Sequence, residues 1–226
     1  MSEQVTELNW CSGQIWRGCT LAAIVHAMMV AHYPELSNEH SWDGMNYSVQ
    51  DSTGARGTIT FSPNYVVAAF RKDNSERLSA NKFDEAIEYF SGAPIEVIDL
   101  AKSETLLYLL EDINGDIKPQ ITTSFWGTPI KSYSLDSIEE LYDNGASLLE
   151  YQLMHFEEAL EAWKEYYDMS NQQCELLLSI YNRKVTSPLA PIHLTKAEIK
   201  KIGDADQEGL SESKISFNEI GIKLEM

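Results

Sequence analysis

The amino-acid sequence predicts an α+β fold: an antiparallel sheet of four to five strands packed on a buried N-terminal helix, with an acidic helical C-terminal half. Three observations lead to this class. Residues 19–33 contain no Asp, Glu, Lys or Arg, residues 45–70 alternate loosely between apolar and polar side chains, and residues 135–183 repeat apolar side chains every three or four positions. These patterns indicate a buried helix, a strand meander and amphipathic helices, respectively.

The uncharged run from Cys19 to Tyr33 is the element on which the other layers are expected to pack. It is rich in the helix formers Ala, Leu and Met, Thr20 is a suitable N-cap, and Pro34 stops the helix. A helix of this length spans about 22 Å, whereas a membrane span needs roughly 20 apolar residues. We therefore expect this helix to be buried in protein.

The remaining elements follow from shorter patterns. Three strands separated by turn residues are predicted between residues 45 and 70. Residues 95–110 are expected to form a helix, and residues 117–126, which contain β-branched and aromatic side chains, a fourth strand. Alternating apolar side chains at residues 215–224 predict a closing strand.

Length and cysteine content limit the organisation of the chain. A chain of 226 residues that is 43% hydrophobic can bury one large core, so we expect a single domain over residues 1–226. A division into a sheet-containing part (1–132) and a helical part with the closing strand (133–226) is the alternative. Three irregularly spaced cysteines argue against a disulfide framework or a zinc site. We expect no metal and no cofactor.

Acidic residues dominate the charge of the chain. There are 35 acidic and 17 basic residues, a formal net charge of −18. Eleven acidic residues and one basic residue lie between Tyr133 and Asn182. Such a charge repels phosphates and anionic lipids, which excludes direct nucleic-acid and membrane binding and favours a basic protein partner. The first residues lack the basic start and apolar core of a secretory signal, so we expect a cytoplasmic protein.

One residue pair suggests catalysis. A thiol at the start of a helix has its pKa lowered by the helix dipole, which would activate Cys19 as a nucleophile. Gln14 lies five residues before Cys19, and this arrangement resembles cysteine hydrolases that use an upstream Gln as an oxyanion donor. The resemblance covers these two residues only. The general base would be a histidine brought close by the fold, such as His193.

Two surface regions are candidates for partner binding. Trp42, Asp43, Tyr47 and Arg56 surround the first predicted hairpin and combine aromatic with charged side chains, as interfaces do. Core packing is the competing interpretation for the hairpin aromatics. The second region is the acidic helical face, for which simple solvation of the carboxylates is the competing interpretation. Its partner-binding residues are Glu157, Glu158, Glu161 and Glu165.

The sequence therefore predicts a non-catalytic intracellular protein that binds and inhibits another protein. Its concrete form would be an immunity protein that neutralises a basic toxin or nuclease. Two alternatives stay open: a cysteine-dependent hydrolase that uses Cys19, and an acidic mimic of nucleic acid that occupies a DNA-binding enzyme.

Overall fold

The computed structural model describes residues 4–80 and 83–225. The chain is mixed α and β, and its largest sheet has seven antiparallel strands. The predicted α+β class is confirmed, whereas the predicted number of four to five strands is too low. The strands that the sequence did not reveal have only three or four residues, which is too short for an alternating pattern to stand out.

The strands are numbered in chain order through the described residues. They are β1 (Thr6–Leu8), β2 (His40–Asp43), β3 (Asn46–Gln50), β4 (Ala55–Phe61), β5 (Val66–Lys72), β6 (Leu110–Ile113), β7 (Asp116–Pro119), β8 (Thr123–Gly127), β9 (Ser132–Ser134), β10 (Ile192–Leu194) and β11 (Ile222–Leu224). The large sheet has the order β1-β9-β8-β5-β4-β3-β2. Strands β6 and β7 form an antiparallel hairpin, and β10 and β11 form a parallel pair.

The helices connect these strands and make up most of the second half of the chain. They are α1 (Ser12–Met29), α2 (Glu76–Ala80), α3 (Ile95–Ser103), α4 (Ile138–Asp143), α5 (Glu150–Leu153), α6 (Phe156–Tyr166), α7 (Asn171–Thr186), α8 (Lys196–Lys200) and α9 (Gln207–Glu219), with 3-10 turns at Pro34–Leu36, Ala86–Phe90, Thr105–Leu109 and Ala146–Leu149. Ser137, Ser170 and Thr195 cap α4, α7 and α8 through capping boxes, which satisfy backbone N–H groups of the first turn.

Contacts between residues divide the chain into two compact units. Unit 1 comprises residues 1–16 and 45–150, and unit 2 comprises residues 17–44 and 151–226. The divisions therefore fall at residues 16/17, 44/45 and 150/151, and the expectation of a single domain stays a prediction. The expected packing of the sheet on the N-terminal helix also stays a prediction.

Unit 1 is built on the central strands of the sheet. The meander β3-β4-β5 lies where the alternation predicted it, and β5 and β8 are buried over almost their whole lengths. Asp136 is buried beside them, and Arg77 Nη1 donates to its carboxylate at 2.6 Å and to the Thr122 carbonyl at 2.9 Å. Thr123 Oγ1 donates to the same carboxylate oxygen at 2.5 Å. These donors compensate for the loss of hydration of a buried charge.

Unit 2 is built around α1. The side chains from Cys19 to Ala31 are all buried, as the uncharged run predicted. Other segments approach the backbone of this region closely: a Cβ atom on Gly18 would lie 1.8 Å from the Gln152 carbonyl oxygen, and one on Gly209 would lie 2.1 Å from that of Ala31. Ser213 Oγ donates to the Ala27 carbonyl at 2.6 Å. Glycine is required at these positions because no side-chain atom fits between the two backbones.

Four predicted elements are corrected by the structure. The strand predicted over residues 117–126 is two strands, β7 and β8, which belong to different sheets. Helix α1 begins at Ser12, eight residues before the predicted cap at Thr20, because residues 12–18 join the same helix despite their polarity. The region 95–110 is a short helix, a 3-10 turn and the first residue of β6, rather than one long helix. Ile215 and Phe217 belong to α9, so the predicted closing strand is reduced to β11.

Substitution of Gly209 by Ala should destabilise the protein, because the added methyl group has no room against the Ala31 carbonyl. We expect a loss of about 1–3 kcal/mol in the free energy of unfolding, measured by urea denaturation. Gly13 is the matched control: it is also helical, and a Cβ there meets no atom within 4 Å. Gly13→Ala should leave stability unchanged or raise it slightly. Equal effects of the two substitutions would contradict the close packing of α9 on the residues after α1.

Candidate protein-binding surfaces

Helix α6 separates apolar and acidic side chains into two faces. Ala159 and Trp163 are buried, whereas the four predicted carboxylates are exposed. At 100° per residue these carboxylates lie within about 100° of arc, opposite Trp163. We call this set the acidic face; it consists of Glu157, Glu158, Glu161 and Glu165.

Most of the acidic face carries uncompensated charge. Glu161 lies 3.8 Å from Lys164, one turn further along the helix. Within residues 4–80 and 83–225, no ion pair involves Glu157, Glu158 or Glu165. The first two stand in the first turn of α6, where the helix dipole favours negative charge. The structure therefore presents a row of carboxylates that a basic molecule can approach.

The residues of the second predicted region differ in accessibility. Asp43 is exposed, and Trp42 is half-buried, with its Nε1 donating to the Gly44 carbonyl at 3.1 Å. Tyr47 is completely buried, so its aromatic ring contributes to packing and offers no contact surface. Arg56 lies in β4 and forms ion pairs with Asp73 and Glu111. Of these four residues, Asp43 is the one whose side chain is open to solvent.

Cys19 does not lie at the start of a helix, which was the reason to consider it as a nucleophile. Because α1 begins at Ser12, Cys19 lies in its interior and gains no benefit from the helix N-terminus. It is fully buried, and this burial raises the pKa of its thiol well above the ordinary value. Gln14 precedes it on the same helix by about 7.5 Å along the axis and about 140° around it, so the two side chains diverge.

His193, the proposed base, occupies a different environment. It lies in β10 with its side chain exposed, and its Nδ1 is 3.3 Å from Glu225 Oε1. This contact joins the parallel pair β10-β11 to the residue that follows β11. The arrangement of His193 is therefore explained by a local contact at the strand end.

The interior side of α6 rests on a cluster of aromatic and histidine side chains that the sequence did not indicate. His26 and His40 are both buried, with ring centroids 5.0 Å apart, and the His40 ring lies 5.7 Å from that of Trp163. Tyr167 stacks on Trp163 at 6.0 Å. These residues are far apart in sequence, so only their contacts in unit 2 reveal the cluster.

Burial sets the protonation of the histidine pair. His26 Nε2 donates to the Ser37 carbonyl at 3.3 Å, which leaves Nδ1 as an acceptor, and within the described residues this atom has no hydrogen-bond partner. Loss of hydration lowers the pKa of His26 to about 4, although the Ser37 contact opposes this. Burial, and secondarily repulsion from His26, lowers the pKa of His40 well below its ordinary value. Both imidazoles are therefore neutral at pH 7.

In the described part of the chain, no group of three or more His, Cys, Asp or Glu side chains is placed to hold a metal ion. Across the same residues, no helix is both long and apolar enough to cross a membrane.

Comparisons with protein-family models, with curated proteins and with solved structures found no match. The function of the chain must therefore be argued from its own surfaces.

The Cys19 thiol should be unreactive in the native protein. Because it is buried and its thiolate is disfavoured, we expect iodoacetamide to label it roughly 100-fold or more slowly in buffer than in urea. Cys11 and Cys174 are partly accessible and serve as internal controls for the reagent. Peptide mass spectrometry over a time course separates the three sites. Labelling of Cys19 at the same rate with and without urea would restore the case for a reactive nucleophile.

Acid should destabilise the protein through His26. Its pKa is depressed in the folded state, so below about pH 6.5 the unfolded chain binds a proton that the folded chain does not. Stability due to the neutral imidazole is present above pH 6.5 and is lost as the pH falls towards 4. At pH 5 this loss is about 2 kcal/mol relative to pH 7.

Replacement of His26 by Gln tests this linkage, since Gln keeps an N–H donor for the Ser37 carbonyl but does not titrate. Chemical denaturation of both proteins at pH 7 and pH 5 should show a loss smaller by about 2 kcal/mol in His26→Gln. Carboxylates titrate in both proteins and cancel in the difference. An identical loss in the two proteins would show that His26 is not held neutral.

Proposed function

We propose that this chain is a non-catalytic cytoplasmic inhibitor that binds a basic protein, in the manner of an immunity protein that neutralises a toxin or nuclease. The observation that carries this proposal is the acidic face, where four exposed carboxylates share one side of α6 and three of them lack an ion pair among the described residues. An inhibitor needs a surface complementary to its target, and this surface is complementary to Lys- and Arg-rich proteins.

Electrostatics supports this choice of partner. A protein with a net charge of −18 repels other acidic surfaces and the phosphates of nucleic acid. A nuclease or DNA-binding toxin must instead carry positive charge where it meets phosphate. The carboxylates of the acidic face would accelerate the encounter with such a surface and compete with the natural substrate for it.

The amphipathic construction of α6 suits this role. Trp163, on the interior face, packs against His40, Tyr151 and Tyr167 and holds the helix in place. Its outer face can then hold four like charges, because each is solvated and repulsion in water is weak. The helix that carries the charges is thus held in place before the partner arrives, which reduces the entropy lost on binding.

The hydrolase alternative lacks comparable support. Cys19 is buried in the interior of α1, and Gln14 lies on another side of the same helix. No observation in the described residues favours it over protein binding.

Reversal of two charges on the acidic face should slow association with the partner. The partner is first isolated from a lysate of the native host with the immobilised protein, and its association rate is then measured with purified components. The variant Glu157→Lys/Glu165→Lys removes two carboxylates that form no ion pair with any described residue. We expect the variant to associate about ten-fold more slowly than the wild type at low salt. The difference between the two rates should shrink at physiological salt, where the Debye length is about 8 Å.

The matched control is Glu96→Lys/Glu139→Lys, which changes the net charge equally at exposed positions on α3 and α4. It should retain an association rate close to that of the wild type. Stability of both variants should change by only tenths of a kcal/mol, because the residues are exposed. If both variants slow association equally, net charge rather than the acidic face is responsible, and the proposed site is wrong.

A further inference from the structure

Exposed apolar side chains cluster on one region of unit 1. Of the eleven large hydrophobic side chains exposed in the described residues, four lie in the β6-β7 hairpin or in the 3-10 turn before it, and Ile117 and Leu107 are 69% and 53% exposed. We call this set the apolar patch; it consists of Leu107, Tyr108, Leu110 and Ile117. Single exposed apolar residues are ordinary, whereas a group of four in one short segment marks an interaction surface.

The register of the hairpin places two of these side chains on the same face. Leu110 is paired with Pro119, and Asp112 with Ile117. Alternate residues of a strand point to the same side, so Leu110 and Ile117 lie on one face of β6-β7. Leu107 and Tyr108 belong to the 3-10 turn that leads directly into β6.

A hydrogen bond ties Tyr108 to the large sheet. Asn46 Nδ2, on β3, donates to the Tyr108 hydroxyl at 3.2 Å and to Glu104 Oε2 at 2.9 Å. The 3-10 turn that carries Leu107 and Tyr108 is therefore held against β3.

Carboxylates outnumber basic side chains in the segment that carries the apolar patch. Residues 104–119 include four carboxylates and one basic residue, Lys118. Glu111 is neutralised by Arg56, whereas Asp116 is exposed and forms no ion pair in the described part of the chain. An apolar centre with a charged margin is the usual construction of a protein interface.

We infer that the apolar patch is a docking surface for the basic protein partner, which would place apolar side chains on the patch and Lys or Arg side chains on its acidic margin. This inference rests on the proposed function for the sign of the partner's charge. A second copy of this chain is a poorer occupant, because each copy carries a net charge of −18 and the same acidic margin.

The test uses a phage-displayed library of random 16-residue peptides, selected on the immobilised full-length protein. Peptides that combine basic and apolar residues should be enriched. Binding of one synthesised peptide is then measured by fluorescence polarisation. The patch variant is Leu107→Gln/Ile117→Thr, which removes exposed apolar groups without a change of charge.

The matched control is Ile130→Thr/Leu189→Gln, which makes the same type of change at exposed positions outside the patch. We expect the patch variant to bind the peptide at least ten-fold more weakly and the control to bind as the wild type does. Circular dichroism and an unchanged unfolding midpoint establish that both variants are folded.

Other outcomes overturn the inference in distinguishable ways. Basic peptides that lose affinity with Glu157→Lys/Glu165→Lys but not with the patch variant would leave the proposed function standing and exclude the patch. Failure to enrich any basic peptide would overturn the inference, and it would count against the proposed function only if the native host also yields no basic partner. A dimer in sedimentation experiments that the patch variant dissociates would assign the patch to self-association.

Discussion

The close approach of backbones around α1 is the constraint on which unit 2 depends. Gly18 meets the backbone of Gln152, and Gly209 meets that of Ala31, so segments distant in sequence touch without intervening side chains. Such contacts exclude water from the backbone around them, and Ser213 satisfies a nearby buried carbonyl, that of Ala27, through a hydrogen bond. Once α1 is fixed in this way, His26 and the residues packed on it hold the inner side of α6 in position.

Each surface proposed to bind a partner depends on buried contacts within its own unit. The acidic face is usable because Trp163 anchors the opposite side of α6. The apolar patch is similarly supported from below, since Leu106 and Leu109 of the same 3-10 turn are buried in the core of unit 1. Neighbouring residues of one turn thus alternate between the core and the solvent, and the exposed ones can change without loss of the fold.

The elements that could be predicted from the sequence are the long ones with a regular pattern of apolar side chains. The meander and the buried part of α1 were predicted because long runs of one periodicity are hard to produce by chance. Strands such as β1 and β9 were missed because three residues carry no period. Ile215 and Phe217 were misread because two apolar residues at a spacing of two suit a strand, whereas their neighbours favour α9. Burial of Tyr47 and exposure of Ile117 follow from contacts distant in sequence, which no local pattern reports.

Unit 2 is formed by two segments that are separated in the sequence by most of unit 1, and this has a consequence during protein synthesis. A ribosome completes α1 about 120 residues before it begins residues 151–226, the later of the two segments that form unit 2. At typical translation rates of about 5–20 residues per second, this apolar helix waits for roughly 6–24 seconds. Unit 1 obtains its main segment, residues 45–150, during that interval. The nascent chain must therefore shield α1 by other means, which makes its early exposure a point where chaperones would act.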